Sequence, residues 1–194
     1  PSIMPFSKKT FLEIQKNVSY ASKHVNETKA YFIGSLYEPR ITELNHVKDS
    51  LKKDNKDLIL LGRLPGNVRR TDEEYWNTII NAPIVITTTN QILEDYLDWN
   101  WVPSLVYRYL EALICETLLV APEVPSVKRY FEPNQDFISF NSLEEASKKI
   151  KFYLDNKDER ELIAKSGNQK AKSLILSKTF WTTIDTSLKK NCII

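Results

Sequence analysis

Residues 107–122, YRYLEALICETLLVAP, read as an apolar helix that runs straight into an apolar strand. A strand apolar on both faces and fed directly by a helix marks a β-α-β unit, the building block of a parallel sheet covered by helices. The alternation extends both ways along the chain. AYFIGS (30–35), DLILLGR (57–63) and PIVITTT (83–89) are short apolar runs upstream, and DFISF (136–140) is another downstream. Between them Ile41, Leu44, Val47 and Leu51 recur close to helical spacing, with Pro39 suited to a first turn. Thr71 with Glu74, and Ser142 with Glu145, have capping-box spacing, so helices are expected to begin near 72 and 143. DERELIAKSG reads as a further helix stopped by Gly167, followed by a helical tail over 168–190. These patterns predict an α/β chain with a doubly wound, mainly parallel, five- to six-stranded Rossmann-like sheet over 30–194 and a helical C-terminal tail. A polar helical lead-in with modest packing is expected over 1–29.

Composition narrows the partners. The 194 residues carry 27 Lys and Arg against 25 Asp and Glu, a formal charge of +2, which points to neither nucleic acid nor an anionic membrane. No apolar run approaches the ~20 residues of a membrane span, so a soluble, cytoplasmic protein is expected. Two cysteines, Cys115 and Cys192, make neither a disulfide framework nor a metal cluster. His24 and His46 lie in polar helical patterns and read as solvated. Four glycines are too few and too scattered for a dinucleotide fingerprint or a phosphate-cradling loop.

What remains is positional. Ligands of open α/β sheets bind outside the carboxyl ends of the strands, where helix N-termini present free N–H groups to anions. Three groups of residues fall there. Gly34, Ser35 and Arg40 follow the first strand; Thr88, Thr89 and Asn90 follow the third; Ser104, Tyr107, Arg108 and Glu111 open the helix after the same loop, with Ser104 as its N-cap. Arg108 and Glu111, three apart, share one helix face. Charges on helices are usually solvated, which makes an exposed pair contributing a few tenths of a kcal/mol the commoner arrangement. A sheltered arginine on a phosphate would contribute roughly 1.5–3 kcal/mol, and a carboxylate beside it could accept from a sugar's vicinal hydroxyls. Spacing alone leaves both open.

The segment PSLVYRYLEALICETLLVAPEVPSVKRYFEPNQDFISFNSLEEASKKIKFYLDNKDERELIAKSG resembles the C-terminal, nucleotide-sugar-binding half of group 1 glycosyltransferases of the GT-B fold, more closely their subgroup with an R-x-x-E-A-L-x-C-G core. YFIGSLYEPR is similar to the family's F-x-G-S strand with its following Arg, and NAPIVITTTN to the strand before its donor loop. The likeness covers about 30–180. It implies glycosyl transfer from a nucleoside diphosphate sugar to an acceptor (glycan, lipid or protein), with no obligatory metal or other cofactor. Glu111 matches the carboxylate that holds the donor ribose, and Arg108 and Arg40 match residues near the diphosphate, so that Arg108 and Glu111 carry the catalytic role. Gly34, Ser35, Thr89, Asn90, Ser104 and Tyr107 then belong to the donor site. Because the fold takes its acceptor contacts and usually its base from an N-terminal domain, this chain is expected to be a donor-binding half whose lead-in is the connection to that domain.

Two departures stand against the family pattern. Pro103 occupies a position where many relatives have an acidic residue. Glu116 stands where they usually have Gly, a poorer helix C-cap expected to bring negative charge near the cleft. Both keep a non-catalytic nucleotide- or sugar-binding module in play. A third possibility is an interaction domain with Arg108–Glu111 as a surface bridge and Tyr96, Trp99 and Trp101 as a contact patch.

Overall fold

The computed structural model describes residues 8–20, 27–62, 69–88, 106–177, 182 and 185–189. Five strands, β1 (Lys29–Ile33), β2 (Asp57–Leu61), β3 (Ile84–Ile86), β4 (Leu118–Pro122) and β5 (Ile138–Phe140), form one parallel sheet in the order β2-β1-β3-β4-β5. Alternation along the strands divides their side chains between two cores. Ala30, Phe32, Ile84, Ile86, Leu118, Val120, Ile138 and Phe140 enter one; Ile33, Val85, Leu119 and Ala121 enter the other. Strands apolar on both faces are therefore what the architecture demands.

The first core is closed by α2 (Arg40–Lys52), through Leu44, Val47 and Leu51, and by α5 (Leu143–Asp155), through Ala146, Ile150 and Leu154. The second is closed by α1 (Lys8–Tyr20), α3 (Asp72–Asn81) and α4 (Arg108–Ile114). The last long helix, α6 (Lys157–Leu176), gives Ala164 to the first core and Ala171 to the second, and so bridges the two layers. Residues 185–189 are also helical. Among the described residues no helix is long and apolar enough to cross a membrane.

Several local expectations are met and others change. Thr71 and Glu74 form the full reciprocal box at the start of α3. Ser142 Oγ accepts from Glu145 N–H at 3.1 Å, whereas the Glu145 carboxylate turns to the N–H of Asn141 at 2.8 Å. The lead-in helix packs firmly: Phe11, Ile14 and Val18 of α1 are buried in the second core. Gly167 does not stop a helix; α6 passes through it and continues to Leu176. Its role is close approach, since a Cβ there would lie 2.2 Å from the Asp136 carbonyl oxygen and 2.6 Å from Leu113 Cδ2. The helix after the third strand is described from Arg108 and has Tyr107 at its N-cap with no side-chain cap bond. Ser104, the expected cap, lies outside the described residues, as do Thr89, Asn90, Pro103 and the aromatic loop with Tyr96, Trp99 and Trp101.

Candidate functional site

The strand order reverses between β1 and β3, since β2 lies to one side of β1 while β3, β4 and β5 follow on the other. The crevice at the carboxyl ends of those two strands is where doubly wound sheets take their ligands. At Gly34 the chain leaves β1, and its N–H donates to Leu61 O at 3.1 Å, which ties the ends of β1 and β2 together. A Cβ on Gly34 would press on the Phe32 ring, 3.2 Å from Cζ, and would lie at an ordinary 3.8 Å from Arg108 Nη2, so the arginine passes close to this strand end.

Arg108 opens α4 and reaches across to β1. Its Nη2 donates to Ile33 O at 2.5 Å. Its Nη1 pairs with Glu111 Oε2 at 3.0 Å and also donates to the Tyr75 hydroxyl. The Tyr75 ring lies beneath the guanidinium, 5.0 Å from Cζ to centroid. Glu111 also acts on the Tyr75 hydroxyl, so arginine, carboxylate and phenol form one cluster around Arg108. Burial pushes the Tyr75 phenol well above its ordinary pKa, Arg108 pulls it down, and Glu111 raises it further. The hydroxyl therefore stays protonated. The Arg108 and Glu111 side chains are only 14% and 12% exposed, which removes the surface-bridge reading of this pair.

The cluster opens on a cavity of about 450 Å³. Ile33, Gly34, Ser35 and Glu111 line it beside β1 and α4; Gly62, Arg69, Arg70, Asp72, Tyr75 and Trp76 line it along β2 and α3; Thr10 of α1 completes the wall. Tyr75 and Trp76 meet edge to face at 5.2 Å. Tyr107, at the head of α4, is 38% exposed, and its phenol is raised by burial and then by Glu111.

Arg40 takes a separate place. Its guanidinium lies over the Tyr37 ring at 4.5 Å and near Phe32 at 5.7 Å, donates to Ser35 O at 3.1 Å, and reaches Thr88 Oγ1 at 3.2 Å. It thus braces the loop after β1 against the end of β3. Glu43, buried beside it on α2, has its carboxyl pKa raised by burial, while a hydrogen bond with Thr88 and the Arg40 charge pull the other way.

Of the residues singled out from the sequence, Gly34, Ser35 and Glu111 line one cavity, Arg108 stands immediately against them, and Arg40 lies on the far side of the Ser35 loop. Tyr75, Trp76, Arg69 and Arg70 were missed. Their signal was present: the same strand-end rule applied to β2 points to RRTDEEYW, which follows that strand and opens α3. Glu116 is placed differently from expectation. It precedes β4, at the amino edge of the sheet, opposite the edge where the cavity opens. Among the described residues no group of three or more His, Cys, Asp or Glu is arranged to hold a metal ion.

Solved structures share this architecture. HepE of Anabaena, in complex with UDP-glucose, superposes with a TM-score of 0.59 at 11% identity, over 96% of this chain and 54% of that one. Sucrose-phosphate synthase from Thermosynechococcus elongatus gives 0.61 at 12% identity, over 97% of this chain and 49% of that one. The C-terminal domain of a group 1 family glycosyl transferase from Francisella tularensis gives 0.53 at 11% identity, over 87% of this chain and 93% of that domain. At such identities the likeness is one of fold, and the chain spans about half the length of the first two. No curated protein matches the sequence. The family described as "Glycosyl transferase-like" matches residues 53–183, from the end of α2 through α6. With well over half its length in that match, the chain belongs to the glycosyl transferase-like family.

Proposed function

We propose that this chain is the donor-binding half of a glycosyltransferase, binding a nucleoside diphosphate sugar at the carboxyl edge of the sheet. The observation that carries the reading is the sheltered Arg108–Glu111–Tyr75 cluster at the β1/β3 switch point, opening on a cavity large enough for a nucleotide. HepE of Anabaena, which shares this fold, has been solved with UDP-glucose, and that supports the reading. In this scheme Glu111 accepts from the ribose hydroxyls. Arg108 and, across the Ser35 loop, Arg40 hold the diphosphate, together with the backbone of Gly34 and Ser35. Tyr107, Thr89, Asn90 and Ser104 belong to the same site. As the sugar departs, charge grows on the diphosphate, and fixed guanidinium groups and helix N-termini stabilise it without a protein-held metal. The acceptor and the base would be brought by a second domain, so the chain alone binds donor and does not turn over.

Calorimetric titration with UDP and GDP tests this. We expect one of them to bind at about 1 mM or below, a level that corresponds to roughly 4 kcal/mol. Arg108→Ala and Glu111→Ala are each expected to weaken it by about tenfold or more. No heat with either nucleotide sinks the reading. Binding that ignores both substitutions moves the site elsewhere.

A further inference from the structure

Arg70 lines the cavity just ahead of α3, and its Nε is buried with no hydrogen-bond partner among the described residues. A buried N–H without an acceptor costs about 1–3 kcal/mol, and folded proteins rarely leave one so. Asp72 lines the same cavity two residues on and can only accept. Tyr75 and Trp76 add aromatic wall beside them. One donor without a protein acceptor and one acceptor against an aromatic surface suit a flat ring whose edge carries a carbonyl next to a ring N–H.

We propose that Arg70, with Asp72, reads the base of the bound nucleotide, admitting uracil or guanine and disfavouring cytosine and adenine. This rests on the donor reading above, in which Glu111 of the same cavity holds the ribose. Uracil offers its 4-carbonyl to Arg70 and its N3–H to Asp72; guanine offers its 6-carbonyl and N1–H. Cytosine and adenine put an amino group where the carbonyl stood and a lone pair where the N–H stood. Both contacts then become donor against donor and acceptor against acceptor, and a site built for one pattern rejects the other.

The test is a set of calorimetric titrations of the chain with UDP, CDP, GDP and ADP, repeated on Arg70→Met and Arg69→Met. All four ligands carry the same diphosphate, so losing a positive charge cancels in the ratio of affinities within each pair. UDP is expected to bind about tenfold or more tighter than CDP, or GDP than ADP, following the cost of one unpaired buried group. Arg70→Met should bring that ratio within about twofold, the level at which no polar group discriminates. Arg69→Met should weaken all four alike and keep the ratio. Native ratios near one, or a ratio that survives Arg70→Met, overturn the inference while leaving the donor site standing. If no diphosphate binds at all, both readings fall together.

Discussion

Two sheltered arginines stand at opposite edges of the sheet, and their partners differ in kind. Arg108 at the carboxyl edge bonds a strand-end carbonyl, a carboxylate and a phenol, and stands against a cavity. Arg160 at the amino edge is 1% exposed, and its Nη1 donates to Tyr153 O at 2.8 Å and Leu154 O at 3.4 Å. Those are the last carbonyls of α5, which a helix leaves unpaired unless something caps them. Burial pulls the Arg160 pKa below its ordinary value, and Glu27, 3.6 Å from Nη2, offsets part of that. A neighbouring residue of α6 works in the same way: Asn168 donates to Leu113 O and Ile114 O, both at 2.9 Å, at the end of α4. So α6 closes the helix ends at one edge with Arg160 Nη1 and Asn168 Nδ2, while Arg160 Nε and Nη2 stay buried without a hydrogen-bond partner among the described residues. The other edge keeps side chains whose partners are themselves exchangeable. Burial of a charge does not tell these two cases apart; the identity of its partners does.

Substitutions should separate the edges, one moving stability and the other moving affinity. The largest effect is expected from Arg160→Ala, which removes the donor to the Tyr153 and Leu154 carbonyls together with a buried side chain and should cost about 3 kcal/mol in urea unfolding. UDP affinity should not change under conditions where the variant is folded. Asn168→Ala removes two bonds whose acceptors keep other donors, Glu116 N–H for Leu113 O and Gln15 for Ile114 O, so about 2 kcal/mol is expected. A loss of nucleotide affinity in either variant would erase the division between framework edge and binding edge.

At the carboxyl edge the expectation reverses. Tyr75→Phe keeps the ring against Trp76 and beneath Arg108 and removes only the hydroxyl that accepts from Arg108 and feels the Glu111 charge. Binding of UDP should weaken by about fivefold, roughly 1 kcal/mol, as the cluster loses its third member. The melting temperature should move little. An unfolding loss as large as that of Asn168→Ala, with affinity intact, would make Tyr75 part of the framework.

The same contrast explains what could be read from the sequence. Strands were legible because a chain apolar at every position over five residues has few places to go except a sheet covered on both faces, as in Leu118–Pro122. Arg108 was legible because it interrupts an apolar helix, and Glu111 because it lies three residues on. Arg160 was not, since α6 is polar along its outer face and a charge there looks solvated until α5 is placed against it. Gly167 was misread for a related reason. Rules for helix ends see only local sequence, and the Asp136 carbonyl that forbids a Cβ comes from a loop about thirty residues away in the chain. Tyr75 was less legible because it lies in a well-capped amphipathic helix, where an aromatic residue reads as core packing.

The smallest effect tests the departure that weighed most against function. After α4, Glu116 has φ 55°, its N–H donates to Leu113 O at 3.0 Å, and the N–H of Thr117 donates to Ala112 O at 3.1 Å. That is a full Schellman ending with glutamate at the left-handed position that glycine fills most easily. The backbone is therefore the one expected with Gly there; what changes is a modest conformational cost and a charge. Because Glu116 lies beside Leu118 and Arg160 at the amino edge, the charge faces the framework and not the cavity lined by Glu111 and Tyr75. Glu116→Gly should accordingly raise stability by about 0.5 kcal/mol, the left-handed relief less the extra freedom of glycine in the unfolded chain. Its UDP affinity should match that of the native chain. If instead affinity rose several-fold with the same small gain in stability, the two edges would be coupled through α4, and the glutamate would have to be counted as part of the donor site after all.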